Sequence, residues 1–369
     1  MKIAFIGGRN IHKLGGIENY MFNLCTKLVE RGIEPIVYCE SDRDYEETIN
    51  GFKVIHWKSP KSVYLCKIFL GLKSTLNALF KQKDVVIFHY NAWPPSIWNW
   101  IPRLFGKKSI LMGHGLEWKR TKYSPKQQKI MRIMERVSAI INNHLVMVSQ
   151  EQSDWYASQY GKKCATIPTA VNLPASFTDT AILETYGLKK NGYYLYLGRL
   201  VQDKNPDYLI KAFNKANPSD SKLVIAGSND SDPEYVDYLH KLAKGNHDII
   251  FTGAVYGLDK ETLLKNCKVF CIPSTIEGLA ITLLEAMSYA KPVIASDIEA
   301  NKEGLGDNGI WVKAENEDEL SNAILYCESN IGILEEEAKK NYNRIETLFT
   351  WDRISLLYSD YTNNIINKR

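Results

Sequence analysis

Short β-branched and aromatic runs alternate with amphipathic helical stretches along nearly the whole chain, and that alternation leaves few architectures open. Residues 2–6 read as a strand. The stretch that follows puts Ile17, Tyr20, Met21, Leu24 and Leu28 on one helical face before Gly32 ends it. Strand signals recur at 36–39, 54–57, 85–89, 109–112 and 145–148, with helical stretches at 63–81, 125–142 and 150–160. A second series starts at 193–197 and continues with strands at 222–226, 249–252, 269–272, 292–295 and 309–312. Its helices are expected at 206–216, 233–244, 259–266, 282–290 and 317–328. Strands separated by helices predict parallel sheets covered on both faces. The segment 168–191, with Pro168, Pro174 and Gly187, reads as the connection. The expected architecture is therefore α/β, with two Rossmann-like domains at 1–172 and 190–345 whose parallel sheets face each other across a cleft. A helix within 346–369 would pack back across both. Ligands of open α/β sheets bind beyond the carboxyl ends of the strands, which places the chemistry in that cleft.

Composition narrows the function. With 45% hydrophobic and 24% charged residues, the chain is neither disordered nor a disulfide scaffold. A net charge of +4 over 369 residues does not call for nucleic acid, so any basic function must come from local clustering. Seven scattered cysteines without a Cys-x-x-Cys pair read as reduced thiols of a cytoplasmic protein. Cys267 and Cys271 lack neighbouring ligands for a zinc set, and no metal is expected. The apolar run at the N-terminus is too short for a signal peptide, and no stretch approaches the ~20 apolar residues of a membrane span.

Three strand-end loops carry candidate chemistry. The first, Gly7 to Glu18, ends in paired glycines, Gly15 and Gly16, just before a helix. Glycine there lets backbone approach a ligand, and a helix start favours an anion; the same residues also make an ordinary turn. The second follows the strand 193–197 and holds Arg199 and Lys204, two cations suited to clamping a diphosphate, or two solvated charges. The third runs from Pro273 to Ala280, closes on Glu277 and leads into a helix bearing Glu285. An unpaired carboxylate in that apolar helix is expensive; ligand hydroxyls would satisfy it, and so would a neighbouring Arg.

Together the segments Gly-Gly-x-Glu (15–18), Gly-Arg-Leu-x-x-x-Lys (198–204) and Glu-Gly-x-x-x-x-x-x-Glu-Ala (277–286) resemble the family 4 retaining glycosyltransferases of GT-B fold, in the right order over nearly the whole chain. The run 114–120 is similar to the N-terminal half of bacterial rhamnosyltransferase-like surface-polysaccharide enzymes. The resemblance implies that Arg199 and Lys204 bind the donor diphosphate and that Glu285 accepts hydrogen bonds from the ribose. Glu277, Gly278 and Leu279 would hold the transferred sugar and phosphate, and backbone at Val255 would touch the base. Gly16 would lie over the diphosphate, His114 near the transferred sugar, and Glu18 and Glu117 on the acceptor side. His114, Glu277, Arg199 and Lys204 are the implied catalytic set. Asn205, Leu279 and Ala280 depart from the family pattern, which usually has glycine, an aromatic and glycine there.

The chemistry is consistent with this. Breaking a glycosyl–phosphate bond leaves negative charge on the diphosphate, which pre-placed cations and amides stabilise without a metal. The candidate donors are dTDP-rhamnose, UDP-sugars and GDP-mannose, and the acceptor a lipid-linked or growing surface polysaccharide. Between Arg103 and Arg136, ten basic residues face two acidic ones, Glu117 and Glu135. Apolar residues lie among them at helical spacing, so this segment either rests on an anionic membrane surface, making the protein peripheral on the inner face of the cell membrane, or is a solvated helix. The aromatic-dense segment 89–100 would meet an acceptor or pack in the core. A GT-B nucleotide-sugar epimerase or phosphorylase, and a catalytically silent glycan- or nucleotide-binding partner, remain open alternatives.

Overall fold

In a computed structural model, the protein is described over residues 1–367 except 13–14, 60–62, 120–122, 179 and 229–231. The chain divides into two compact units, Met1–Ala170 with Trp351–Arg369, and Val171–Thr350.

In the first unit the strands are β1 (Lys2–Gly8), β2 (Glu34–Ser41), β3 (Tyr45–Ile49), β4 (Phe52–Lys58), β5 (Val85–Asn91), β6 (Lys108–Gly113), β7 (His144–Met147) and β8 (Ala165–Thr166). They form a sheet ordered β3-β4-β2-β1-β5-β6-β7-β8. All pairs are parallel except β3–β4. That antiparallel pair is a hairpin whose turn, Asn50-Gly51, has φ of +46° and +84°. Asn-Gly is the strongest short hairpin signal because both central residues need the left-handed region. The strand reading of the sequence overlooked β3, whose Tyr-Glu-Glu-Thr-Ile lacks clean apolar alternation.

The period-2 alternation of β1 separates two core layers. Ile3 and Phe5 face the layer that holds Tyr20, Leu24 and Leu28 of the helix Gly16–Glu30. Ala4 and Ile6 face the layer holding Tyr38, Phe88 and Tyr90. The final helix, Trp351–Asn367, belongs to this unit and buries Trp351, Ile354 and Tyr358 in the first of those layers. Each such fully buried side chain contributes about 1.5–3 kcal/mol. Arg31 secures the helix, donating to Ser355 Oγ at 2.9 Å and to the Asp352 carbonyl at 2.8 Å.

The second unit holds β9 (Tyr193–Leu197), β10 (Lys222–Ala226), β11 (Ile249–Gly253), β12 (Val269–Ile272), β13 (Val293–Ser296) and β14 (Ile310–Val312). Its sheet runs β11-β10-β9-β12-β13-β14. Every pair is parallel. Both units are thus Rossmann-like. The helix expected at 317–328 extends as Glu317–Leu348, bending at Asn330, whose φ of −128° is non-helical. Residues 346–348 therefore stay with the second unit, and the return to the first unit is made at Trp351.

Candidate functional site

In each sheet the strand order reverses at one place. In the second unit it lies between β9 and β12, which pair with each other although two strands, β10 and β11, and their connecting helices come between them in the chain. A crevice opens beyond the carboxyl ends of two such strands because their connections leave to opposite faces. The loop after β9 carries Arg199 and Lys204, and the loop after β12 carries Glu277. Topology alone therefore brings these distant segments together.

Direct bonds join the two loops. Thr275 donates both its N–H, at 2.9 Å, and its hydroxyl, at 3.1 Å, to the carbonyl of Asp203. The Asn205 side-chain amide donates to the Pro273 carbonyl at 2.9 Å. The Lys204 ammonium is in ionic contact with a Glu277 carboxylate oxygen, both side chains being largely buried. Arg199 is exposed, and the Tyr196 hydroxyl donates to its carbonyl at 2.8 Å. Asn205, where the family pattern has glycine, takes φ +51°. Asparagine is among the few non-glycine residues that tolerate this region, so the departure preserves the turn and adds the tether to Pro273.

The neighbouring strand ends are built from glycine. A Cβ on Gly227, at the end of β10, would lie 1.8 Å from the Gly198 carbonyl oxygen at the end of β9. Only glycine permits that approach. The helix Ile281–Ser288 begins one residue after Ala280 and has no side-chain cap, so its first amides are open to an oxygen acceptor. Gly278 is half-buried, whereas Leu279 and Ala280 are buried and pack in the core. Val255, just past β11, also packs against that core.

Glu285, one turn into the same helix, receives the Lys260 ammonium at 2.6 Å. The partner is thus a lysine from the helix Gly257–Asn266, not an arginine. Burial raises the Glu285 pKa, and the Lys260 charge opposes that rise. Lys260 was passed over in the sequence because nothing in its spacing links it to Glu285, 25 residues later.

In the first unit the order reverses between β1 and β5. Asn91, the last residue of β5, organises a buried polar chain there. Its amide donates to the Ile6 carbonyl at 3.5 Å and lies 3.1 Å from the Met21 sulfur. This turns its oxygen to His114 Nε2 at 3.1 Å and His89 Nε2 at 3.2 Å. His89 Nδ1 in turn meets the Tyr358 hydroxyl at 2.7 Å. With Oδ1 accepting from both rings, each histidine carries its proton on Nε2. Burial pushes both pKa values down to about 3, helped at His89 by His114 and at His114 by Lys67. Both rings are therefore neutral. His89 and Asn91 lie in the aromatic-dense segment 89–100, which was singled out for its rings and not for this polar chain; Tyr358 was not among the candidates, because only the fold brings it to β5.

Glu18 is buried and accepts the Arg9 N–H at 2.9 Å. A Cβ on Gly15 would lie 2.1 Å from its other oxygen. Its carboxylate thus occupies the start of its own helix, where Gly16 is exposed as the first helical residue. The Glu117 side chain lies outside the described residues.

The helix Pro125–Ile141 starts with a capping box made by Ser124 and Gln127. It buries Met131, Glu135, Ser138 and Ala139. Ile130, Ile133, Val137 and Ile140 are exposed, beside exposed Lys126, Lys129, Arg132 and Arg136. Glu135 faces inward and accepts from the Tyr160 hydroxyl at 2.9 Å and Trp118 Nε1 at 3.3 Å. Leu104 and Phe105 of the same unit are also exposed. Arg103, Lys107, Lys108 and His144 line a basic pocket. In the segment 89–100, Trp98 bonds the Ile68 carbonyl at 2.8 Å and Trp100 is exposed. Among the described residues no helix is long and apolar enough to cross a membrane, and all seven cysteines are free thiols.

Residues 14–174 match the model of Glycosyltransferase Family 4, and residues 180–344 that of Glycosyl transferases group 1. An uncharacterized glycosyltransferase of Methanocaldococcus jannaschii is 33% identical over 44% of this chain and 42% of its own length. Against the first curated relatives the match spans less than half of their length. The D-rhamnosyltransferase WbpZ of Pseudomonas aeruginosa is 24% identical over 91% of this chain and 89% of its own. Among solved structures, the sucrose-phosphate synthase of Thermosynechococcus elongatus superposes with a TM-score of 0.85 at 18% identity, covering all of both chains.

Proposed function

With a Glycosyltransferase Family 4 domain followed by a group 1 glycosyl transferase domain, the chain belongs to the glycosyltransferases of GT-B fold, and from that premise we propose that it moves a sugar, with retention, from a nucleoside-diphosphate donor to a lipid-linked or growing surface polysaccharide. The observation that carries this reading is the joining of the loops after β9 and β12, with Lys204 held against Glu277.

In this reading Arg199 and Lys204 bind the diphosphate. Because Lys204 and Glu277 touch, a phosphate on the lysine puts the attached sugar beside Glu277 and the backbone of Gly278 and Leu279, where its hydroxyls donate to the carboxylate. Glu285 accepts from the ribose hydroxyls, its carboxylate held by Lys260, and backbone at Val255 meets the base. Transfer breaks the bond between the anomeric carbon and a diphosphate oxygen and forms one to the acceptor oxygen, whose hydroxyl proton passes to the departing diphosphate. The electron pair leaves on the diphosphate, where two side-chain cations and the open amides of the helix Ile281–Ser288 lower the barrier. In this reading those groups carry the charge stabilisation and transfer is metal-independent.

The first unit's part is His114, whose neutral ring contacts the transferred sugar in an orientation set by Asn91. Gly16 offers its amide to the diphosphate. Glu18 orders the loop on the acceptor side, to which Glu117 also belongs. The exposed Ile130, Ile133, Val137 and Ile140, flanked by lysine and arginine, support peripheral binding to an anionic membrane surface on the cytoplasmic side. Four exposed branched side chains in one stripe support this reading over that of a purely solvated helix face. Of the donors, dTDP-rhamnose draws on the likeness to a D-rhamnosyltransferase; UDP-sugars and GDP-mannose stand beside it.

A thermal-shift screen with UDP, GDP and dTDP, followed by turnover of the matching nucleotide-sugars, tests the reading. One nucleoside diphosphate should stabilise the protein and its sugar should be consumed only with an acceptor. Free epimer formed from donor alone would favour an epimerase, and a phosphate-dependent reaction a phosphorylase. Glycan binding with no turnover of any donor would favour a silent partner.

A further inference from the structure

Three side chains from separate segments of the first unit converge at the hairpin edge of its sheet: His12 on the loop after β1, Glu47 on β3 and His56 on β4. One Glu47 carboxylate oxygen lies 2.8 Å from His12 Nε2 and 2.6 Å from His56 Nε2. One donor atom from each residue lies within 4.8 Å of the other two. We propose that these residues form a binding site for a divalent transition-metal cation of borderline softness, with Zn²⁺ as its representative.

The donor set fits. Two imidazole nitrogens and one carboxylate oxygen make a three-ligand zinc site whose fourth position is left to water. The ligands are positioned independently of one another. The hairpin register pairs Tyr45 with His56 and is set by the Asn50-Gly51 turn. The Tyr45 ring stacks on His56 at 4.0 Å and 5°. The His12 N–H donates to Asn10 Oδ1 at 2.9 Å, ordering its turn. The two imidazole rings are parallel within 5°, and both present Nε2 to the same oxygen. His56 Nδ1 is buried without a hydrogen-bond partner, so all the polar contacts of that ring lie on its Nε2 edge.

The geometry needs little adjustment. Zn–N and Zn–O bonds of about 2.0–2.2 Å in a tetrahedron put ligand atoms about 3.3 Å apart. The Glu47 carboxylate, on a side chain 29% exposed, must draw back from the buried His56 ring by about 0.7 Å, and His12 from the carboxylate by about half an ångström; the His12 side chain is 54% exposed, which also gives the ion an entry path. Bound there, the cation would pin the loop after β1 to the β3–β4 hairpin. This is a structural role: the cation would hold the loop that leads to Gly16 and take no part in the bond-making step.

Isothermal titration of the full chain with Zn²⁺, and visible absorption with Co²⁺, test the site. The expected result is one ion per chain bound in the micromolar range or tighter, with a rise in melting temperature. His12→Ala and Glu47→Gln should each weaken binding by more than the roughly 10–100-fold that loss of a mere supporting hydrogen bond costs a metal site. His12 is exposed, so its variant should keep the wild-type circular dichroism and metal-free melting temperature. Absence of binding, or equal binding by wild type and both variants, would overturn the proposal.

Discussion

Replacing Lys204 by Ala acts on the diphosphate twice. It removes a cation aimed at the departing charge, and loss of one such pre-placed group typically costs about 10²–10³ in turnover, or roughly 2.7–4 kcal/mol. It also strips Glu277, whose side chain is only 8% exposed, of the ammonium it touches. A bare carboxylate about 5 Å from a phosphate oxygen repels it by about 3 kcal/mol at an effective dielectric near 20. Lys204→Ala should therefore lower kcat/KM for the donor by a hundredfold or more, and weaken binding of the free nucleoside diphosphate as well. Adding Glu277→Gln to that variant removes the repulsion and should recover on the order of a hundredfold of the nucleotide affinity, without restoring turnover. Steady-state kinetics and calorimetry on the four members of this cycle measure both effects. A Lys204→Ala rate within about twofold of wild type, or no recovery of affinity in the double variant, would refute the reasoning.

Other consequences follow from neighbouring parts of the molecule. Glu285→Ala should weaken nucleoside-diphosphate binding by about 1.5–3 kcal/mol, the usual worth of a hydrogen bond to a charged group, and Lys260→Met should act in the same direction; calorimetry reads both. Neutralising Lys126, Lys129 and Arg132 together should lower flotation with anionic liposomes by tenfold or more, at about 1 kcal/mol per charge, and leave binding to neutral liposomes unchanged. His89, held neutral with its pKa at about 3 against an ordinary 6.5, contributes stability that is present above the ordinary value and lost as pH falls toward the lowered one. Between neutrality and about pH 5 that loss is about 2 kcal/mol. Denaturant titrations should show it in wild type and find it reduced in His89→Gln; identical pH slopes would remove His89 from the account.

The elements that carry Arg199, Lys204 and Glu277 were legible because they announce themselves locally. The apolar runs at 193–197 and 269–272 are fully buried strands, and the polar loops after them stand out against them. Other features depend on the fold. Asn205 reads in sequence as a departure from a glycine pattern, yet its left-handed φ and its bond to Pro273 make it a working substitute. Lys260 and Tyr358 meet their partners only through tertiary packing. The hairpin at Asn50-Gly51 carried a signal that the alternation test missed, because charged residues interrupt β3. On the helix Pro125–Ile141, spacing identified an amphipathic segment but not its direction: Glu135 lies inward, while Ile130, Ile133 and Val137 lie outward. Hydrophobic periodicity assumes that apolar residues face the core, and on this helix the apolar stripe 130, 133 and 137 faces outward instead.

The central claim is that the loops after β9 and β12 grip a pyrophosphate with side-chain cations. Calorimetry that compares each nucleoside diphosphate with its monophosphate, with a chelator present, addresses it most directly. The preferred diphosphate should bind at least about tenfold tighter than its monophosphate, a difference of about 1.4 kcal/mol, and Lys204→Ala should abolish the gap. Equal affinities for the two nucleotides, or diphosphate binding that disappears with the chelator, would contradict the account.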